Sequence, residues 1–131
     1  MNKDNKRSID IKIFSFGFKY GILNNANYIF DVRFLPNPYY IPELKEHNGT
    51  ESVISEYVMN FSHSNEFLKK LCDLFITIIP FYIENDKTEI VIGIGCTGGK
   101  HRSVTIAEAL YAELKKSGID ALVIHRDIDK E

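Results

Sequence analysis

The run Gly93-Ile-Gly95-Cys96-Thr97-Gly98-Gly99-Lys100-His101-Arg102-Ser103 holds the densest chemistry in the chain. Glycines let a turn aim several backbone N–H groups at one point, and Lys100, His101 and Arg102 add cationic donors. Arg can grip two phosphate oxygens at once. If a strand precedes this turn and a helix follows it, the positive end of the helix dipole points at the same spot. That spot lies outside the carboxyl ends of the strands, where ligands settle in open α/β sheets. The expected occupant is phosphate, sulfate or a phosphorylated small molecule, held by Cys96, Thr97, Gly98, Gly99, Lys100, His101, Arg102 and Ser103. The plainer alternative is a tight turn whose basic residues face water.

The same letters fit Cys-x5-Arg-Ser, the spacing of cysteine-dependent phosphatases, with Cys96 as nucleophile and Arg102 as phosphate clamp. A helix N-terminus beside Lys and Arg favours a thiolate able to attack phosphorus. Gly95 stands where those enzymes usually carry His, and the general acid would have to be Asp31 or Asp127. A zinc site from Cys96, His101 and His125 lacks CxxC or HxxxH spacing, so neither a metal nor a cofactor is expected. Asp31, Arg33 and Asn37 reach the ligand if their strand lies beside the Cys96 strand, although an Asp–Arg pair is often only a salt bridge. His125 and Arg126 leave the last strand on the ligand edge. Lys19 and Tyr20 sit in an aromatic loop, where Lys suits a phosphate and Tyr suits stacking on a sugar or base. Tyr39 and Tyr40 read as a lid or as a subunit contact. Cys72 reads as a small buried hydrophobe, and His47 and His63 as surface residues.

The elements that must position these residues are legible in the periodicity. Ile9 to Phe16 alternates apolar and polar as a half-buried strand does, and Tyr28 to Val32 reads as a second strand after a glycine- and asparagine-rich loop. Pro36, Pro38 and Pro42 bar a regular helix or central strand between Arg33 and Pro42. Ser52 to Phe61 reads as a short helix. Phe67, Leu71, Leu74, Phe75 and Ile78 form the stripe of a helix over Glu66 to Ile79, ended or kinked by Pro80. Thr88 to Gly95 is a strand covered on both faces, Val104 to Lys116 a helix stopped by Gly118, and Ala121 to His125 a strand. Strand, helix and strand make a parallel, right-handed βαβ unit. The fold class is therefore α/β: one domain with a small, mainly parallel sheet flanked by helices.

The chain has 131 residues, room for one domain. A 44% hydrophobic content supports a packed core rather than disorder. The longest apolar stretch, Leu74 to Ile83, is broken by Thr77 and Pro80 and falls short of the roughly 20 residues a membrane span needs. The first residues lead into no signal-peptide core, and two cysteines make no disulfide framework. A cytoplasmic protein without membrane contact is expected. A net charge of −2 gives no bulk attraction to nucleic acid, so an anion site must be local.

Four segments, Ser15 to Gly21, Asp31 to Pro38, Gly95 to Ser103 and His125-Arg126, together resemble the C-terminal domain of the RapZ family, the RNase adapter proteins. The resemblance spans residues 9–131, with residues 1–8 as a polar N-terminal segment. It implies an α/β fold similar to a phosphofructokinase subdomain, a pocket for an amino-sugar phosphate such as glucosamine-6-phosphate, homo-oligomers, and binding of a small regulatory RNA that is presented to a ribonuclease. Lys19, Tyr20, Lys100, Arg102 and Arg126 are the candidates for RNA contact. The sequence departs from the family in having no G-x-x-x-x-G-K-[ST] nucleotide loop, which reads as a stand-alone domain without the N-terminal P-loop domain. It also closes on Asp127-Ile-Asp-Lys-Glu131 instead of a basic cluster.

Overall fold

A computed structural model describes residues 8–130, so the polar N-terminal segment, apart from Ser8, and Glu131 lie outside the described residues. Four strands, β1 (Asp10–Gly17), β2 (Tyr28–Asp31), β3 (Glu89–Cys96) and β4 (Leu122–His125), pair in the order β2-β3-β1-β4, every pair parallel. Three helices accompany them: α1 (Ser52–Met59), α2 (Ser62–Glu84) and α3 (Arg102–Lys116). Short 3-10 turns occupy Phe18–Tyr20 and Pro38–Tyr40. The α/β class and the single parallel sheet are as the sequence implies. The β3–α3–β4 unit is parallel, but β1 lies between its two strands.

Boundaries differ from expectation at the helices. α2 runs on through Pro80 to Glu84, and Asn85 closes it by donating its N–H to the carbonyls of Phe81 and Ile83. Pro80 has no N–H to offer the Ile76 carbonyl, yet the helix continues through it. α1 stops at Met59 because the next helix begins at Ser62 with Phe61 at its cap.

The period-2 pattern of β1 assigns the two faces of the sheet. Ile11 and Ile13 join Ile90, Ile92 and Ile94 of β3 in one core under the helices, together with Leu71, Phe75, Ile106 and Leu110. Phe75 of α2 meets Tyr28 and Phe30 of β2 edge-on at 5.4 and 5.9 Å, and Tyr82 donates to the Tyr28 hydroxyl at 2.9 Å.

The opposite face is covered by the aromatic loop after β1. Gly95 makes room there, since a Cβ on it would stand 2.6 Å from both Phe16 Cζ and Phe18 Cε2. Those two rings pack edge to face at 4.9 Å. β3 is buried on both faces because helices cover one side and these rings the other.

Gly95→Ala should therefore cost about 1–3 kcal/mol, the range for forcing a methyl into a packed core. Gly93→Ala, whose nearest obstacle is the movable end of Leu23 at 2.8 Å, should cost less. Urea denaturation of both variants gives the comparison.

Candidate functional site

β3 ends at Cys96, α3 begins at Arg102, and residues 97–101 turn between them. Gly99 takes φ +75°, a left-handed value that disfavours a side chain, and the turn rests directly on the end of β1. A Cβ on Gly17 would lie 2.4 Å from the Gly98 carbonyl carbon, and one on Gly99 would lie 2.5 Å from the Gly17 nitrogen. Lys19 N–H donates to the Thr97 carbonyl at 3.2 Å. Gly98, in contrast, has open space where a Cβ would be. No side chain caps the N-terminus of α3, so its first N–H groups keep their attraction for an anion. The Ser103 N–H does turn inward, to Cys96 Sγ at 3.4 Å.

The turn is one wall of a cleft of about 670 Å³. Cys96, Thr97, Gly98, Lys100, His101 and Arg102 line that wall; Asn37, Tyr39, Tyr40, Lys45, Glu46 and Asn48 line the second; Ile128, Asp129 and Lys130 form the third, beside Lys19 and Tyr20. Backbone bonds fasten the second wall to the first. Gly49 N–H donates to the Lys100 carbonyl at 2.8 Å, and the His101 ring bonds the Lys45 carbonyl through Nε2 at 3.0 Å. Burial lowers the pKa of His101, with Lys100 and Arg102 pushing the same way against the bonds to backbone carbonyls. A neutral ring still donates Nε2–H to Lys45, so His101 is a strut. A shallower groove of about 710 Å³, lined by Leu44, Val53, Glu56, Tyr57, Met59 and Asn60, carries no cationic side chain.

Arg102 is only 5% exposed. It donates through NH1 to the carbonyls of Arg33 at 2.8 Å and Leu35 at 3.2 Å, and through NH2 to Thr97 Oγ1 at 3.4 Å. Its Nε is buried without a partner, and it makes no ion pair among the described residues.

Cys96 is 1% exposed and donates its thiol to Ser103 Oγ at 3.2 Å. Asp31 and Arg33 pair with each other on the surface at 2.7 Å, and Arg33 stacks on Phe18 at 4.1 Å. The hydrogen bonds of Arg33 hold the Asp31 carboxyl below its ordinary range. Neither residue lines the cleft, whereas Asn37 does. His125 lies on the helix side of the sheet, between Ser15 Oγ at 2.6 Å and Glu108 at 2.7 Å. That chain has the composition of a hydrolase triad, but Ser15 has no exposure, so no substrate reaches it.

Cys96, His101 and His125 do not converge, and no metal-competent cluster of His, Cys, Asp and Glu occurs among the described residues. Cys72 is buried, which pushes its thiol pKa up. His47 pairs with Glu51 at 2.7 Å, and His63 lies against Phe34 and Phe61. Sequence reasoning did not single out Lys45, Glu46, Asn48 or the 128–130 wall. One signal was present: Gly49, in a polar stretch, is a glycine because a Cβ would lie 2.5 Å from the His101 carbonyl oxygen.

The tail is tied down by Asp127, which has no exposure. Its carboxylate accepts the Gly17 N–H at 2.8 Å, Arg126 at 2.8 and 2.9 Å and Lys130 at 2.6 Å. Arg126 also donates to the Gly21 carbonyl at 2.6 Å and, like Gly99 and Ser103, stays off the cleft surface.

Fold and site together define a class: a parallel α/β domain whose glycine-rich strand-to-helix turn opens on a cleft rimmed by lysines. Over residues 9–129 the chain matches the RapZ C-terminal domain, and it belongs to that family. It is 54% identical over 121 residues to a nucleotide-binding protein of Caldicellulosiruptor saccharolyticus, covering 92% of this chain and 41% of that one. Nucleotide-binding proteins of Thermoanaerobacter sp. and Finegoldia magna are 54% and 55% identical over 125 residues, 95% of this chain and 44% of theirs. The chain thus spans about two-fifths of the length of these relatives. No described helix is long and apolar enough to cross a membrane.

Gly17→Ala and Gly99→Ala should each lower stability by about 1–3 kcal/mol, because backbone stands where the methyl would go. Gly98→Ala should melt close to the parent, which thermal denaturation tests. Burial opposes the charge of Asp127, but Arg126, the Gly17 N–H and Lys130 outweigh it and hold the carboxyl down at about 2, against an ordinary 3.8. The folded state therefore favours the carboxylate by about 2 kcal/mol. That contribution is complete above pH 3.8 and lost as pH falls toward 2. The stability gap between parent and Asp127→Asn should close over that window in melts recorded at stepped pH.

Proposed function

We propose that this domain binds a phosphorylated ligand at the Thr97–Arg102 turn and serves as a sensor or adaptor. The observation that carries the reading is Arg102. A guanidinium that is 5% exposed, bonded only to carbonyl and hydroxyl oxygens and placed at an uncapped helix N-terminus, leaves two positive sources without a bonded counter-ion, Asp31 acting on Arg102 only through space. Burying a charge without a counter-ion is costly, and an anion above Gly98 removes that cost. Lys100, Lys45, Lys19 and Lys130 stand around the same space.

An amino-sugar phosphate such as glucosamine-6-phosphate suits the cleft further. Glu46 and Asp129 line it too, so a ligand with a phosphate at one end and an ammonium at the other meets complementary charge at both. A hexose phosphate also fits within 670 Å³. The enzyme alternative, with Cys96 as nucleophile and Arg102 as clamp, draws less support. The thiol is 1% exposed and spent on Ser103.

A small regulatory RNA is the second occupant, brought by the family resemblance, with Lys19, Tyr20 and Lys100 at the cleft and a ribonuclease as the downstream partner. Few phosphates can be neutralised on a chain of net charge −2, so its affinity should fall only shallowly with salt.

Calorimetric titration with inorganic phosphate, glucosamine-6-phosphate and glucose-6-phosphate tests the reading. Both sugar phosphates should bind, the amino sugar more tightly, and Arg102→Ala should lose about 1.5–3 kcal/mol. Cys96→Ala should keep most of the affinity, and an aryl phosphate should not be hydrolysed. Turnover that vanishes in Cys96→Ser would replace this reading with the phosphatase. Added sugar phosphate should displace RNA in a gel-shift titration.

A further inference from the structure

Asp127 touches no part of the cleft surface, yet its carboxylate gathers donors from three places that shape it. Gly17, whose N–H it accepts at 2.8 Å, is the seat on which Gly98 and Gly99 rest. Lys130, held at 2.6 Å, belongs to the tail wall and lies 5.0 Å over the Tyr20 ring. Arg126, bonded to both carboxylate oxygens, ties the start of the tail to the Gly21 carbonyl. The Asp127 Cβ itself stands 3.0 Å from where a Cβ on Gly99 would be. One buried carboxylate thus joins the β1 end, the phosphate turn and the tail wall.

We propose that Asp127 is a positioning residue for the cleft, setting its affinity for an anion by holding the Gly98–Gly99 turn and the 128–130 wall in place. This rests on the anion-binding reading. Charge and position make opposite forecasts here. By charge alone, a carboxylate near an anion site repels the ligand, so neutralising it should tighten binding. By position, neutralising it frees Lys130 and weakens the hold on the Gly17 N–H, so binding should loosen.

The experiment has two arms. Inorganic phosphate and glucosamine-6-phosphate are titrated into the parent, Asp127→Asn and Arg126→Gln, and amide hydrogen exchange is followed in the ligand-free proteins. Asp127→Asn should bind at least about tenfold more weakly, the equivalent of one lost charged hydrogen bond. Arg126→Gln, which removes donors from the carboxylate without touching the cleft surface, should also weaken binding. Exchange should quicken at Gly17 and at Lys19, whose N–H holds the Thr97 carbonyl, in both variants while Ile92 inside β3 stays protected. Unchanged or tighter binding with unchanged exchange overturns the proposal. If Asp127→Asn fails to fold, Arg126→Gln decides by the same criteria. If the parent binds neither probe, the anion reading fails, and unchanged exchange at Gly17 and Lys19 would then overturn the positioning role by itself.

Discussion

Backbone resting on backbone, Gly17 beneath Gly98 and Gly99, is the constraint on which the rest of this molecule depends. β1 and β3 run in a register that sets Gly17 level with Cys96, so the turn leaving β3 has to pass over the end of its neighbour. Any side chain at Gly17 would put its Cβ 2.4 Å from the Gly98 carbonyl carbon. Because the turn lies flat there, α3 starts immediately behind it and brings Arg102 within reach of the Arg33 and Leu35 carbonyls. The segment after β2 is thereby held against the helix start. A one-residue slip of β1 against β3 would undo all of this, and it would also exchange the two faces of the sheet.

The parts legible in the sequence were those with a local cause. The β-branched run of β3, the alternation of β1 and the stripe of α3 follow from periodicity, and the turn follows from its glycines and cations lying between such elements. What the sequence withheld depends on distant partners. Nothing near β4 says that it pairs with β1 instead of β3. His125 leaves a strand at the ligand end, but the two-residue alternation turns it to the helix side, where Ser15 and Glu108 take both ring nitrogens. Asp31 and Arg33, two apart, satisfy each other first. Gly93 and Gly95 look like part of the turn, yet they lie within the strand and make room for Leu23, Phe16 and Phe18. The second and third walls of the cleft come from stretches without regular structure, which no periodicity marks.

Charge is organised locally, as a net value near neutrality requires. The lysines of the cleft are mostly braced against something else: Lys19 and Lys130 over Tyr20, Lys45 over Tyr39. Such contacts restrain long side chains that would otherwise lose rotamer freedom on meeting a ligand. Arg102 differs in being interior, and its position is over-determined by carbonyls from another segment. A rigid central cation with semi-rigid cations around it suits a small, compact anion better than an extended one.

The strand order also bears on how the molecule is made. β1 occupies the middle of the sheet, yet the strands on either side of it, β3 and β4, are translated long afterwards; Ser15 and the His125 it bonds are 110 residues apart. Until β3 is made, β1 has neither of its two sheet partners. Chains built on such distant pairings fold slowly and offer sticky surface while they wait. Within this domain the turn, its helix and the tail wall follow β3 in the chain. β1 therefore gains its two neighbours within this domain only once β3 and β4 have been made.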